Sequence, residues 1–195
     1  MLTATYTLVA LSVEQASLRA SLQSLQKVVH SHFAEQASLS EGRVDFACDT
    51  LARAVQAPHW AKVDQHVGPA IAAASDPAAS AAADVLQQLQ RLHQDAERQL
   101  AAIDADYAGR ALDGAAAVAA FCARVDVVCV ALLERLERER QVVFPLARAV
   151  VSGEAWFAIA NRMLADDAYS KENKPLRRAP AAAIARAVQQ ATLVH

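Results

Sequence analysis

The chain has 195 residues, of which 54% are hydrophobic and 5% aromatic, with only 5 Gly and 6 Pro. This composition favours helix over sheet, and the length suffices for one core plus a short appendage. The formal net charge of −2 lacks the strong positive excess that a nucleic-acid partner requires, so we expect no such partner.

Four long helices are predicted in chain order from apolar periodicity and helix-end signals. Asp76-Pro77 supplies an N-cap and a first-turn proline for the third helix, whereas Pro58 should kink or break the second. The predicted elements are helix 1 (8–33), helix 2 (43–74), helix 3 (77 to between 104 and 109) and helix 4 (from a cap at Asp113 to 151).

A shorter C-terminal part is predicted after the fourth helix. A short helix is expected over 154–164, a polar, proline-bounded linker over 166–180, and a small Ala-rich helix over 180–193. The predicted domain organisation is therefore a helical bundle over 1–165, followed by the linker and short helix over 166–195. Short connections between the four long helices predict an all-α fold, an up-down-up-down four-helix bundle with short C-terminal helices.

Cysteine usage and apolar segments indicate the compartment. Cys48, Cys122 and Cys129 are odd in number and lie among apolar neighbours, which predicts buried thiols of a reducing compartment and not a disulfide framework. The most apolar stretch, 114–133, is interrupted by two charged residues, so no membrane span is predicted. We expect a cytoplasmic protein with no membrane partner.

Each long helix carries an apolar stripe that polar residues interrupt near one level. A polar group in such a stripe faces the core, where leaving it unpaired costs about 1–3 kcal/mol. Interruptions in all four helices near one layer predict a site or the remains of one. The interrupting residues are Gln15 in helix 1, His59 and His66 in helix 2, His93 in helix 3, and Arg135 and Glu139 in helix 4. The stripes also place Val63, Ala70, Val142 and Leu146 on the inner side.

Predicted helices 2 and 4 contain a similar short motif, which we call the internal echo. In each copy a proline follows ten residues after the first position, His59 in helix 2 and Arg135 in helix 4. The position four residues after these two is Val63 in one copy and Glu139 in the other. Residues i and i+4 share one helix face, so two such groups can bind one metal centre or each other. In helix 4 this predicts an ion pair in which the Arg135 guanidinium supplies the charge and donors that a buried Glu139 needs.

These segments resemble the hemerythrin-like (HHE) family, whose second and fourth helices carry a His-x-x-x-Glu-Glu-x-x-Leu-Phe-Pro pattern. The stretch 135–145, Arg-Leu-Glu-Arg-Glu-Arg-Gln-Val-Val-Phe-Pro, resembles the fourth-helix form, and 57–69, Ala-Pro-His-Trp-Ala-Lys-Val-Asp-Gln-His-Val-Gly-Pro, resembles the second. The segment 152–160 is similar to the family's short helix after the bundle. The similarity covers roughly 8–164.

The resemblance implies a non-haem di-iron centre held by several histidines and carboxylates, used for oxygen or nitric-oxide chemistry or iron sensing. Carried over by position, this chain keeps His59, His93 and Glu139 as candidate metal ligands, and Asp64 lies one residue after a lost carboxylate position. Three ligands of the pattern are replaced, by Gln15, Val63 and Arg135. The remaining set predicts no di-iron centre, and either a single non-haem iron or no cofactor.

Three functions remain open from the sequence. The favoured one is a hemerythrin-like bundle without a di-iron centre that acts as a non-catalytic binding or regulatory module, marked by a buried polar layer of Gln15, Arg135 and Glu139. The second is a mononuclear metal site of His59, His93 and Glu139, a two-histidine, one-carboxylate set that suits Fe(II), for oxygen, nitric oxide or iron sensing. The third is a structural protein that forms a homodimer through a second apolar stripe on helix 4, made of Cys122, Cys129, Leu133 and Leu136. No catalytic constellation is visible in the sequence, so no enzyme activity is predicted.

Overall fold

The computed structural model describes the backbone of residues 2–172 and, apart from 80–81 and 170–172, their side chains. Contacts divide the chain into two compact units, Met1–Ala160 and Asn161–His195. Helices account for nearly all of the described residues, so the all-α prediction is confirmed. The helix predicted over 180–193 lies outside the described residues.

Eight α-helices, three π-helical turns and two short strands make up the described residues. The helices are α1 (Leu2–Val28), α2 (Glu41–Val55), α3 (Pro58–Lys62), α4 (Gly68–Ala72), α5 (Pro77–Tyr107), α6 (Ala115–Arg138), α7 (Phe144–Val150) and α8 (Gly153–Glu172). The π turns are Val29–Phe33 after α1, Val63–Val67 between α3 and α4, and Glu139–Val143 between α6 and α7. The strands β1 (Ser38–Leu39) and β2 (Leu112–Asp113) pair antiparallel.

The core forms where the apolar stripes of the long helices meet. Helix α6 contacts α1, α2 and α5, and α2 also contacts α1 and α5. Leu25, Leu51, Phe121 and Leu132 are among the fully buried side chains of this core, each of which stabilises the fold by about 1.5–3 kcal/mol through its burial. The β1–β2 pair joins the loops that precede α2 and α6, which holds the starts of these two helices together.

Two helix starts show how the sequence sets the boundaries. The Asp76 side chain accepts a hydrogen bond of 2.8 Å from the Ala78 N–H, which confirms the predicted cap of α5. The predicted cap of the next long helix is one residue early, because Gly114, not Asp113, holds the N-cap position of α6. Gly114 adopts φ +90°, a conformation that side chains with a Cβ rarely adopt.

Two of the π turns, Val63–Val67 and Glu139–Val143, lie at the two copies of the internal echo, and both have the same backbone hydrogen-bond pattern. The Gly68 N–H donates to the carbonyl of Val63, and the Phe144 N–H donates to the carbonyl of Glu139, each five residues earlier in the chain. A proline that lacks an N–H follows both donors directly. The equivalence of Val63 and Glu139 that the sequence predicts is therefore matched by equal backbone geometry.

These π turns shift the inner face of each helix by one residue. A π turn contains one residue more than the corresponding α-helical turn. After it, each inward-facing position lies one residue later in the chain than α-helical spacing predicts. For this reason the prediction that Val142 faces inward is wrong, since it is 40% exposed, and His66, Ala70 and Leu146 are only half-buried. The fully or almost fully buried residues are instead their successors in the chain, Val67, Ile71, Val143 and Ala147.

Other element boundaries also differ from the prediction. Helix α1 begins at Leu2, six residues earlier than expected, since its exposed apolar positions gave no start signal. The predicted helix 2 is divided at Pro58, which starts α3 as its first residue. Helix α8 continues to Glu172, so residues 166–172 are helical and not part of a linker.

Helix α6 turns its apolar residues into the chain's own core. Cys122, Cys129 and Leu136 of the stripe predicted for a second subunit are buried, and Val127 and Val130 are the large apolar residues that α6 leaves exposed. The three cysteines are buried and free, as predicted, and burial raises the pKa of the Cys129 thiol to about 12. By length and composition, the stretch Ala115–Val150 is the one described helix apolar enough to cross a membrane, a property that core helices share.

Candidate functional site

Glu139 lies at the centre of a polar cluster inside the core and is fully buried. Its Oε2 lies 2.8 Å from Nε2 of His59 and accepts a 2.9 Å hydrogen bond from Nε2 of Gln15. Its Oε1 accepts a 3.0 Å hydrogen bond from Nε of Arg135. Because a carboxylate only accepts, the close His59 nitrogen carries a proton. Three helices thus supply one donor each to a single buried carboxylate.

Arg135 is also fully buried and links Glu139 to the opposite side of the cluster. Its NH2 group donates a 2.7 Å hydrogen bond to Oδ1 of Asp64, and its NH1 group donates one of 3.2 Å to the carbonyl of Leu89. The guanidinium carbon lies 4.8 Å from the centre of the Trp60 ring, a cation–π arrangement. Every nitrogen of this buried cation therefore has a partner.

The other side of the cluster runs through His59 to Glu14 and Lys62. Nδ1 of His59 lies 3.4 Å from Oε2 of Glu14, and the Lys62 ammonium donates to Oε1 of the same carboxylate over 2.5 Å. The His59 and Lys62 side chains are almost completely buried, whereas Glu14 is about one-third exposed. Glu14 and Asp64 are therefore the two places at which this polar cluster meets the surface.

Opposite charges alternate along the cluster. Its cations are Lys62 and Arg135, and its anions are Glu14, Glu139 and Asp64. A protonated His59 supplies the third positive charge, which makes these six groups neutral together. This balance matters because a buried charge without a partner costs several kcal/mol.

The electrostatics favour the charged forms of the central groups. Burial by itself would raise the pKa of Glu139, but the hydrogen bond from His59 and the charge of Arg135 outweigh it, so the pKa is lowered. Burial would depress the pKa of His59, but the carboxylates of Glu139 and Glu14 outweigh it and raise the pKa above the ordinary histidine value. His59 is thereby stabilised as an imidazolium between two carboxylates.

His93 lies beside this cluster but is not hydrogen-bonded to it. Its Nε2 lies 3.5 Å from Oε1 of Glu97, and its buried Nδ1 has no hydrogen-bond partner. The Trp60 ring contacts both histidines, with centroid distances of 5.2 Å to His59 and 5.5 Å to His93. Burial and the positive charge of Arg135 lower the pKa of His93.

The candidate residues from the sequence are thus brought together in part. Gln15, His59, Arg135, Glu139 and Asp64 form one hydrogen-bonded cluster, in which the guanidinium of Arg135 stands between the two carboxylates. His93 is a neighbour of the cluster across Trp60. Within the part of the chain that the structure describes, no three His, Cys, Asp or Glu side chains are grouped closely enough to hold a metal ion.

Sequence reasoning missed three members of this cluster. Trp60 does not interrupt an apolar stripe, and its contact with the guanidinium of Arg135 depends on tertiary packing. Glu14 and Lys62 lie next to the predicted inward positions of Gln15 and Val63, and their own positions do not interrupt an apolar stripe. A lysine within the run Trp-Ala-Lys-Val and a glutamate directly before an inward glutamine were the signals available.

Comparison with known proteins adds no relative to this picture. No family model, curated protein or solved structure matches the chain. The resemblance to the hemerythrin-like family therefore rests on sequence motifs such as those at 57–69, 135–145 and 152–160, and the functional argument rests on the geometry of the cluster.

Proposed function

We propose that this protein is a hemerythrin-like four-helix bundle that has lost most of the di-iron ligands and acts as a non-catalytic binding or regulatory module. The buried Arg135 carries this proposal. It occupies the position that corresponds to His59 in the internal echo, and it binds Glu139 and Asp64 directly. A guanidinium is permanently charged, so it satisfies these carboxylates without a metal ion.

The packing of the helices supports the bundle arrangement. Contacts run from α1 to α2, from α2 to α5, from α5 to α6 and from α6 back to α1, which is the neighbour order of an up-down-up-down bundle. The connections that join α1 to α2, α4 to α5 and α5 to α6 are short. In this arrangement the polar cluster lies inside the bundle, where members of the resembled family hold their metal.

The chemistry of the donor set does not fit a di-iron centre. The positions given to a histidine and a bridging carboxylate hold Arg135 and Val63, and Glu139 already accepts three hydrogen bonds. A divalent ion next to Glu139 would also be repelled by the guanidinium. The mononuclear alternative of His59, His93 and Glu139 meets the same repulsion, and His93 makes no hydrogen bond to the other two residues, while the Trp60 ring contacts both histidines. The function we favour therefore includes no reaction at a metal.

Metal content tests this proposal. After anaerobic incubation with excess Fe(II) and desalting, the wild-type protein should retain well under one iron per chain. Two tightly held irons per chain would overturn the proposal. One retained iron that is lost in both His59→Ala and His93→Ala would move the assignment to the mononuclear site.

A gain-of-binding variant serves as the positive control for the same measurement. Gln15→His, Val63→Glu and Arg135→His together restore the family pattern, and the triple variant should retain more iron than the wild type. A matched variant that carries Gln15→His and Val63→Glu but keeps Arg135 should not, because the guanidinium is still present. Equal iron retention by the two variants would show that Arg135 is not the element that excludes metal.

A further inference from the structure

A groove with a positively charged rim lies between α1 and α7, away from the buried cluster. It has a volume of about 460 Å³, which is in the range of small binding sites. Its apolar lining comes from Leu8 and Val9 of α1 and from Phe144 and Pro145 at the start of α7. Thr5, Ser12, Arg140 and Arg148 complete the lining, and none of its residues is acidic.

The charge at this rim is not balanced by nearby carboxylates. Arg140 binds Glu137, but Glu137 also binds Arg19 at 2.9 Å, so two arginines share one carboxylate. Arg148 forms no ion pair with any carboxylate in the described part of the chain. These four side chains, three arginines and one glutamate, carry a net charge of +2 among themselves.

The groove opens onto an exposed apolar stripe along the first half of α1. Leu2, Tyr6, Val9 and Val13 follow one another at spacings of four, three and four residues, and between 54% and 75% of each is exposed. This spacing places all four on one helix face over about 16 Å. An apolar stripe of this period is suited to packing against another helix.

We propose that the face formed by this stripe and the groove binds an amphipathic helix that carries acidic residues beside its apolar stripe. An apolar side chain of the partner would enter the groove over Leu8 and Phe144, and its carboxylates would pair with Arg148 and Arg140. A second copy of this chain is a poorer occupant, because the same face would bring arginines against arginines. This inference rests on the proposed binding role and gives that role a partner chemistry.

A designed peptide tests the proposal with the full-length protein. The probe is a labelled helical peptide of about 18 residues, with leucines at three- and four-residue spacing and glutamates on both sides of the leucine stripe. The control peptide has the same sequence with lysines in place of the glutamates. Fluorescence anisotropy should show binding of the glutamate peptide that weakens with added salt, and much weaker binding of the lysine peptide. Equal binding of the two peptides, or no binding of either, would overturn the proposal.

Variants localise the binding to this face. Arg148→Glu should weaken the glutamate peptide roughly fivefold or more, and Val9→Asn should weaken both peptides. The matched control is Arg98→Glu on α5, an exposed arginine remote from the groove, which should stay within about twofold of wild type. If Arg148→Glu and Arg98→Glu behave alike, the charge of this rim plays no part and the proposal fails.

Two further measurements separate other occupants. If the protein sediments with phosphatidylglycerol vesicles but binds neither peptide, the face binds membranes. If the protein self-associates and Val9→Asn abolishes the self-association, the face is a dimer interface. Either result would contradict the helix proposal. Neither depends on iron, so a failure here leaves the metal-content test of the proposed function intact.

Discussion

Arg135 and His59 occupy corresponding places in the internal echo, and both bind the same carboxylate of Glu139. The two residues differ in one physical respect that matters for the cluster. The guanidinium of Arg135 is charged at every accessible pH, whereas the imidazole of His59 can lose its proton. The pH response of this core therefore depends on histidine, while its permanent charge balance depends on arginine.

The two histidines beside Trp60 should titrate in opposite directions from the ordinary value of about 6.5. Glu139 and Glu14 raise the pKa of His59, whereas burial and Arg135 lower the pKa of His93. Two-dimensional NMR of the imidazole resonances, assigned with His59→Gln and His93→Gln, measures both values. An His59 pKa at or below that of His93 would contradict the charge balance described here.

This titration has a consequence for stability that follows from linkage. Because the pKa of His59 is raised by folding, its stabilising effect is fully present below about pH 6.5 and is lost as pH rises through the folded-state pKa. The difference in unfolding free energy between wild type and His59→Gln should therefore be larger at pH 6 than at pH 9. His93 acts in the opposite sense, since its depressed pKa makes acid conditions unfavourable for the folded state.

At the scale of helices and turns, sequence periodicity predicted the long helices but not the π turns within them. The stripes through Leu22 and Leu132 are regular and led to the correct inner faces. After Val63 and Glu139 the same counting fails by one residue, because each π turn adds a residue that α-helical spacing does not contain. The proline that follows each turn indicates that the helix is irregular there. A proline alone does not show how many residues the irregular turn adds. The two short strands were not predicted, because a two-residue strand is too short to show an alternation of apolar and polar residues.

A pair of neighbouring substitutions tests this register. Val142 is 40% exposed and Val143 is 1% exposed, although regular α-helical spacing predicts that Val142 faces inward. Val143→Asn should lower the free energy of unfolding by about 2–4 kcal/mol, since it buries an unpaired amide and removes apolar contacts. Val142→Asn should stay within about 0.5 kcal/mol of wild type. Urea denaturation of the two variants decides between the registers, and the reverse order would show that the π turn is absent.

For the whole molecule, the sequence predicted the centre of the polar cluster but not its ends. Gln15, Arg135 and Glu139 were found because each interrupts an apolar stripe. Glu14 and Lys62 lie beside the stripes, and their burial depends on how α1 and α3 approach each other, which is a property of tertiary packing. The resulting cluster crosses the core from Glu14 to Asp64 and joins residues of α1, α3, α6 and the π turns Val63–Val67 and Glu139–Val143.

The central claim is that the buried guanidinium of Arg135 neutralises Glu139 in place of a metal ion, and equilibrium unfolding of a double-mutant cycle tests it most directly. Arg135→Leu alone should lower the free energy of unfolding by about 3–5 kcal/mol, because it removes one of the two cations beside the fully buried carboxylate of Glu139 and the partner of the partly buried Asp64. Adding Glu139→Gln should recover most of this loss, since a neutral pair of similar size is often tolerated. Arg98→Leu, at an exposed arginine, provides the control. An Arg135→Leu variant within about 0.5 kcal/mol of wild type, as for that control, would contradict the claim.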